Sequence, residues 1–595
     1  MRLPKLKRIG TSRDMVEVFR GYNHNLRIAD GEFYTMTNLT SDDYPVLSPR
    51  RPRGIYASPT KPLGMISKDV LCYVDDGVFV INEYNKDNRI DMGLNDEPKT
   101  LISMGAYVII MPDKKYINTK DLTHGNIEAE VSSKADVVFS ICKVDGTAYE
   151  NMETGGTAPT SPDNMTIWLD TASTPNVLKQ YSTTTSQWVS IPTTYVKIAS
   201  AGIGQPFEVG DGVTISGIKD ADLKAFENTM VIQAKGDDYI VVTGIISGVY
   251  TQPYKDEKDK PQPITVARKM PIMDFIIESG NRLWGCHYGV AHNGQVVNEI
   301  YASKLGDFKN WNTFAGISTD SYAATVGTDG KFTGAITHLG YPIFFKENCY
   351  HKVYGNYPAN YQIQTTACRG VQDGSHKSLA IVNETLYYKS RSAICAYDGS
   401  LPTEISSALG DGVYSDAVAG VLGNKYYISM KDINEKEAGK EWHLFVYDTK
   451  KGMWHREDNT QVAEFCNCRG ELYYIDYADD PPMIRTIRGT GDAREESVEW
   501  SAETGIIGIN MPDKKYISRM DIRMSTDIGT KINIYAEYDS SGVWELVYAA
   551  DVTSLRTFSV PVRTKRCDHM RLRIDGRGNV KIFSICKTYS VGSDI

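Results

Sequence analysis

The sequence predicts an all-β protein: a β-propeller of six or seven blades, a small β domain inserted into it, and a C-terminal β-sandwich. Three observations carry this. Tyr (37) outnumbers Phe (16) and Trp (8) together, and Gly reaches 50 in 595 residues. That profile suits pleated strands joined by tight turns. Short alternating stretches such as Val78-Phe79-Val80-Ile81, Thr385-Leu386-Tyr387-Tyr388 and Lys531-Ile532-Asn533-Ile534-Tyr535 take the place of helical periodicity, each bounded by Gly, Asn, Asp or Pro. Finally, a turn residue followed by an apolar-aromatic strand recurs seven times, at Lys68–Tyr73, Met104–Val108, Asn281–Trp284, Tyr341–Phe344, Glu384–Tyr387, Asn424–Tyr427 and Gly470–Tyr473. The later spacings match the roughly 40–50 residues of a four-stranded propeller blade.

Taken in order, residues 1–144 hold an N-terminal arm and the first blades. The repeat then breaks. Residues 145–263 turn to Thr, Ser, Gly and Pro, enter through Glu153-Thr154-Gly155-Gly156-Thr157-Ala158-Pro159 and leave through the charged run Lys255–Pro261. Two such linkers around a different composition predict an inserted β domain, since insertion into a loop is thermodynamically cheap. Ala221–Phe226 is a weak helical candidate inside it. Residues 264–496 carry the remaining blades; Leu444–Asp448, a turn at Gly452 and Met453-Trp454-His455 read as an outer hairpin. Strands separated by turns over residues 497–595 read as a β-sandwich. Met111-Pro112-Asp113-Lys114-Lys115-Tyr116-Ile117 recurs as Met511–Ile517, through duplication or through one turn solution used twice.

Composition excludes several classes. A hydrophobic share of 41% with 23% charged residues is too apolar for a disordered chain. The longest apolar run, near Tyr107–Met111, is far short of the roughly 20 residues of a membrane-spanning helix. The start of the chain lacks the apolar core of a secretory signal. A net charge of −9 argues against nucleic-acid binding by the whole chain. Ten cysteines are too sparse for a disulfide framework and are expected to be buried thiols. Cys466-Asn467-Cys468 lacks zinc-finger partners, and His287 and His292 flank Gly289 without carboxylate-rich spacing. No phosphate loop, zinc helix or nucleophile elbow is present. Asp320, Asp329, Asp373, Asp411 and Asp416 sit in Gly-rich turns where a propeller glycosidase carries its acids, but aspartates in turns usually bond their own backbone. The expectation is no enzyme, no cofactor and no metal.

Basic clusters remain. Arg50, Arg51 and Arg53 follow Pro49, and Arg563, Arg566, Arg571 and Arg573 crowd the sandwich. They are read as subunit-interface candidates: on alternating strands they form a positive face for an acidic neighbour or for phosphates.

Two segments carry a resemblance. Phe33-Tyr34-Thr35-Met36-Thr37-Asn38-Leu39 with Tyr44-Pro45-Val46-Leu47-Ser48-Pro49-Arg50-Arg51-Pro52-Arg53 resembles the opening of phage structural proteins. Ile167-Trp168-Leu169-Asp170, Leu178–Tyr181 and Trp188-Val189 resemble small modules of phage tail and neck proteins. Together they resemble the tail-nozzle and packaged-DNA stabilisation (head-tail connector) proteins of short-tailed phages. The resemblance implies a virion protein made in the bacterial host cytoplasm and assembled as a homohexameric ring in the tail or neck. Its implied partners are itself and the adjacent portal, adaptor and tail proteins. Contact with double-stranded DNA would be transient and non-specific, and no membrane is involved. The alternative is a receptor- or glycan-binding propeller such as a phage adhesin, and after that a propeller glycoside hydrolase.

Overall fold

A computed structural model describes residues 11–83, 86–478, 480–508, 515–551, 556–560 and 567–591. Strands dominate it. Helix is confined, among the described residues, to four short 3-10 segments; the longest, Ala221–Phe226, is capped by the Asp220 side chain. The chain divides into two compact units, residues 1–101, 343–351 and 365–595, and residues 102–342 and 352–364.

In the first unit, four antiparallel strand arrays stand in series. They span 380–404, 414–456, 462–486 and 62–91, and the first strand of each packs beside the first strand of the next. This is the stacking of propeller blades. Adjacent first strands approach so closely that a Cβ on Gly420 would fall 2.5 Å from the Phe465 Cβ. Leu422, Tyr427, Leu444, Val446, Leu472 and Tyr474 fill one interface between sheets, and Met65, Tyr73, Val80, Cys466, Tyr473 and Ile475 fill the next. The 462–486 sheet takes its fourth strand, Gly54–Ala57, from near the start of the chain, paired to Met483–Thr486. Leu283, Ile343, Leu386, Tyr426 and Leu472, the repeated apolar positions, are all fully buried.

The sandwich also belongs to this unit. One sheet runs Thr11–Val16, Val580–Val591, Lys515–Thr526, Arg556–Val560. The other contains Glu499–Thr504, Met570–Arg577, Lys531–Tyr538 and Glu545–Asp551, and is continued by Glu32–Thr37 and Gly21–Tyr22 to the outer blade strand Met453–Arg456. Met520, Ile522, Ile532, Ile534, Leu572, Ile574 and Ile582 lie in the core of this region. Residues 11–40 are therefore woven into the sandwich rather than forming a separate arm with the first blades. Lys515 starts a strand here, as Lys115 does in the other copy of the repeated fragment.

In the second unit, Tyr107–Met111, Lys115–Asn118 and His124–Asn126 form one antiparallel meander. Phe275–Ser279, Arg282–Val290, Val296–Ala302 and Tyr322–Thr325 form another. Ile102, Ile109, Leu283, Phe308 and Trp311 pack between them. The strand Gly334–His338 lies beside Phe275–Ser279. The inserted domain is an eight-stranded sheet spanning 129–268, with a further four-stranded sheet nested at 152–190. Its true limits are wider than 145–263. Ala129–Ser132 and Thr265–Arg268 pair with each other, so the chain enters and leaves through one ladder. The composition change at Asp145 marks a turn, where Asp145 accepts from Thr147 N–H at 3.0 Å. The charged run is likewise a tight turn, with Asp256 accepting from Lys258 and Lys260 N–H groups at 2.9 Å each. Buried Arg268 pairs with Asp211, which Asn310 also holds at 2.9 Å.

Candidate functional site

Two of the seven arginines predicted at a subunit interface are spent inside the chain. Arg50 reaches Glu495 at 2.7 Å and Asn38 at 2.7 Å. Arg53 reaches Glu457 at 2.7 Å, Asp458 at 2.9 Å and Thr460 at 2.8 Å, with its guanidinium over the Tyr474 ring. Burial works against the Asp458 carboxylate, but the Arg53 and Arg50 charges outweigh it and lower its pKa. With exposures of 9% and 3%, Arg50 and Arg53 present almost no surface to a neighbouring molecule. They bolt the segment after Pro49 to the turn after Met453–Arg456. Arg563 and Arg566 lie outside the described residues.

Arg51 alone of its cluster is exposed. It lines a polar cleft of about 920 Å³ with Asp43, Lys531, Arg577 and Lys581, and a second of about 540 Å³ with Lys425, Lys450 and Arg488. Asp42 borders both. Lys581 is neutralised by Asp43 at 2.8 Å and Lys425 by Asp42 at 2.7 Å. Arg51, Lys450, Arg488, Lys531 and Arg577 make no ion pair among the described residues. Cations left without carboxylates beside a groove attract an acidic partner.

Arg571 and Arg573 stand two apart on Met570–Arg577, so they share the outer face of the sandwich sheet while Leu572 and Ile574 face its core. Arg571 is neutralised twice, by Glu503 at 2.6 Å and Glu537 at 2.5 Å. Glu503 is pushed up by burial, a shift that Arg571 opposes and Glu537 adds to. Arg573 lies 4.5 Å from the Tyr535 ring centre and 5.1 Å from that of Trp544.

The turn acids have separate fates. Asp320 is structural, accepting from the Ala315, Gly316 and Ile317 N–H groups. Asp329 and Asp411 are exposed. Asp416 sits at φ 51° in a bulge of the first strand Tyr414–Leu422. The first strand Val462–Cys468 is bulged too, before Glu464, which pairs with Lys377 at 3.4 Å. Burial raises the Glu464 pKa against the pull of Lys377. Sequence reasoning missed Glu464, since an acid inside an apolar strand gives no turn signal. Its only mark is the broken alternation around Ala463. His287 is held by Asp274 at 3.0 Å. No group of three or more metal-ligating side chains occurs among the described residues. The ten cysteines are all free thiols, eight of them buried.

No protein-family model and no curated protein matches the chain. Similar solved structures include an exo-β-1,3-galactanase from Phanerochaete chrysosporium with galactose, at 9% identity over 56% of this chain and 98% of that one (TM-score 0.22). Another is the phage phi92 endosialidase, at 9% identity over 78% and 73% (TM-score 0.26). A third is a family 43 arabinoxylan arabinofuranohydrolase from Bacillus subtilis, at 9% over 54% and 94% (TM-score 0.18). Overlap this loose assigns no role to any residue here. Glycoside hydrolases recur among these structures, contrary to the sequence expectation of no enzyme.

Proposed function

We propose that this chain is a structural protein of a bacteriophage virion, a subunit of a homohexameric ring in the tail or neck that retains packaged DNA and then passes it. In this reading the antiparallel arrays of the chain make up a propeller of six or seven blades. One observation carries the reading: the two clefts that Arg51 borders, where Lys531, Arg577, Arg488 and Lys450 make no ion pair among the described residues, suit an acidic segment of a neighbouring subunit. The resemblance of residues 33–53 supports it. Those residues supply sandwich strands and the Arg50 and Arg53 bolts, which is what a shared structural scaffold requires. Light scattering on purified protein tests this. The wild type is expected to form a ring and the Arg51→Glu/Arg577→Glu variant to remain a folded monomer. A wild type that stays monomeric at every concentration rejects the reading.

A second reading, a glycan-engaging propeller, is favoured by the acids on adjacent bulged first strands. Glycoside cleavage needs one carboxyl that keeps its proton and a second that stays ionised. Glu464, raised by burial, suits the first role. Release of reducing ends from bacterial surface polysaccharide, abolished in Glu464→Gln, would support it; equal release by that variant rejects it.

A further inference from the structure

We propose that the outer face of the sandwich sheet is a binding site for a carboxylated saccharide, with Arg573 taking the sugar carboxylate. The proposal is independent of the ring reading and of the Glu464 site.

Arg573 is the unusual group. Its guanidinium is stacked on Tyr535 and Trp544, at 4.5 Å and 5.1 Å from their ring centres. Its one ion pair among the described residues is with the Asp575 carboxylate at a long 3.6 Å, and its Nε is buried without a hydrogen-bond partner. A third of the side chain is exposed. It is thus a fixed planar fork that donates no hydrogen bond to any described residue. Its neighbour Arg571 is saturated by Glu503 and Glu537. A pre-oriented guanidinium with unused donors matches a carboxylate bidentately.

The surroundings select the ligand. Tyr535 stands opposite Leu546 across the sheet, and Leu546 is 57% exposed. With half-exposed Trp544 they give an apolar strip suited to the C–H face of a sugar ring. Asp575 and Asn533, which bond each other at 3.1 Å beside Arg573, offer an acceptor and an amide to hydroxyl groups. The acids also exclude other anions. Nucleic acid carries one charge per roughly 1.7 Å of helix axis, and an acidic peptide carries a run of charges. Glu503, Glu537 and Asp575 disfavour both, while a uronic acid brings hydroxyl groups for those same acceptors beside the carboxylate that Arg573 takes.

Titration calorimetry on the full chain tests it, with tetragalacturonate as probe and galactotetraose and hexaglutamate as controls. Saturable binding of tetragalacturonate is expected, at least tenfold tighter than either control. Arg573→Gln and Trp544→Ala should each weaken it tenfold or more, with thermal midpoints reported alongside. Arg573→Lys keeps the charge and loses the fork, so it should also weaken binding and remains informative if Arg573→Gln does not fold. The proposal is overturned by no saturable tetragalacturonate binding, by equal binding of hexaglutamate, which would mark an acidic-peptide site, or by Arg573→Lys binding as the wild type does.

Discussion

Arg51 and Arg53 sit two residues apart and should respond oppositely to mutation. Arg53→Leu leaves buried Glu457 and partly buried Asp458 without their main cation and is expected to cost about 3–5 kcal/mol in urea unfolding. Arg51→Leu, at an exposed site, should change stability by less than about 0.5 kcal/mol. Equal losses would mean the Arg53 contacts carry no net stability. Burial holds three histidines neutral: desolvation, helped by the Lys425 charge, lowers His455 to about 3, and desolvation lowers His351 and His443 to about 4. An unfolded histidine titrates near 6.5, so below that pH the unfolded chain binds protons the folded chain refuses. Stability present at pH 7 is therefore lost as pH falls from about 6.5 toward about 4, by up to about 1.4 kcal/mol per histidine per pH unit. Denaturation midpoints at pH 7.5 and pH 5.0 check this, and equal midpoints contradict it. Arg50 and Arg53 read as surface charge because a sequence displays a cationic run but not its carboxylates, which lie 445 and 404 residues away.

Strand pairing divides what could be read from what could not. Alternation is local, so the repeated strand starts fall on strands, and Leu386 is fully buried as its place in the repeat implies. Leu386→Ala should cost about 2–5 kcal/mol, the range for a buried leucine leaving a cavity; a loss under about 1 kcal/mol would show that the neighbouring sheets close over the gap. The limits of the inserted domain were misread because turn composition is not linker composition: Asp145 and Asp256 bond their own backbone inside the domain. Removing residues 129–268 takes out both strands of the entry ladder together, whereas removing 145–263 strands one side of several ladders. The first deletion, bridged by Gly-Ser, should leave the rest of the chain with one cooperative melting transition. The second should broaden or abolish that transition. A single sharp transition in both would show that the entry ladder is not the boundary.

At the scale of the whole molecule, the unit containing both chain ends is closed by its own beginning. Gly54–Ala57 completes the 462–486 sheet, and Thr11–Val16 and Glu32–Thr37 extend the two sheets of the sandwich. Deleting residues 1–49 should therefore expose the edges at Val580–Val591 and Glu499–Thr504 and produce aggregation, read as loss of the soluble form on expression. A soluble truncated protein with an unchanged melting point would show those strands to be decoration.

The same closure sets a timetable for synthesis. The first fifty-seven residues leave the ribosome before every strand they will pair with at the far end of the chain. At roughly 5–20 residues per second, a bacterial or slower ribosome needs about half a minute to two minutes to deliver those partners. Throughout that interval the nascent start carries apolar side chains such as Phe33, Met36 and Leu39 with no sheet to receive them. The protein is thus committed to a long wait in which its early strands must be shielded, and folding of this unit finishes only after Val580–Val591 has been made.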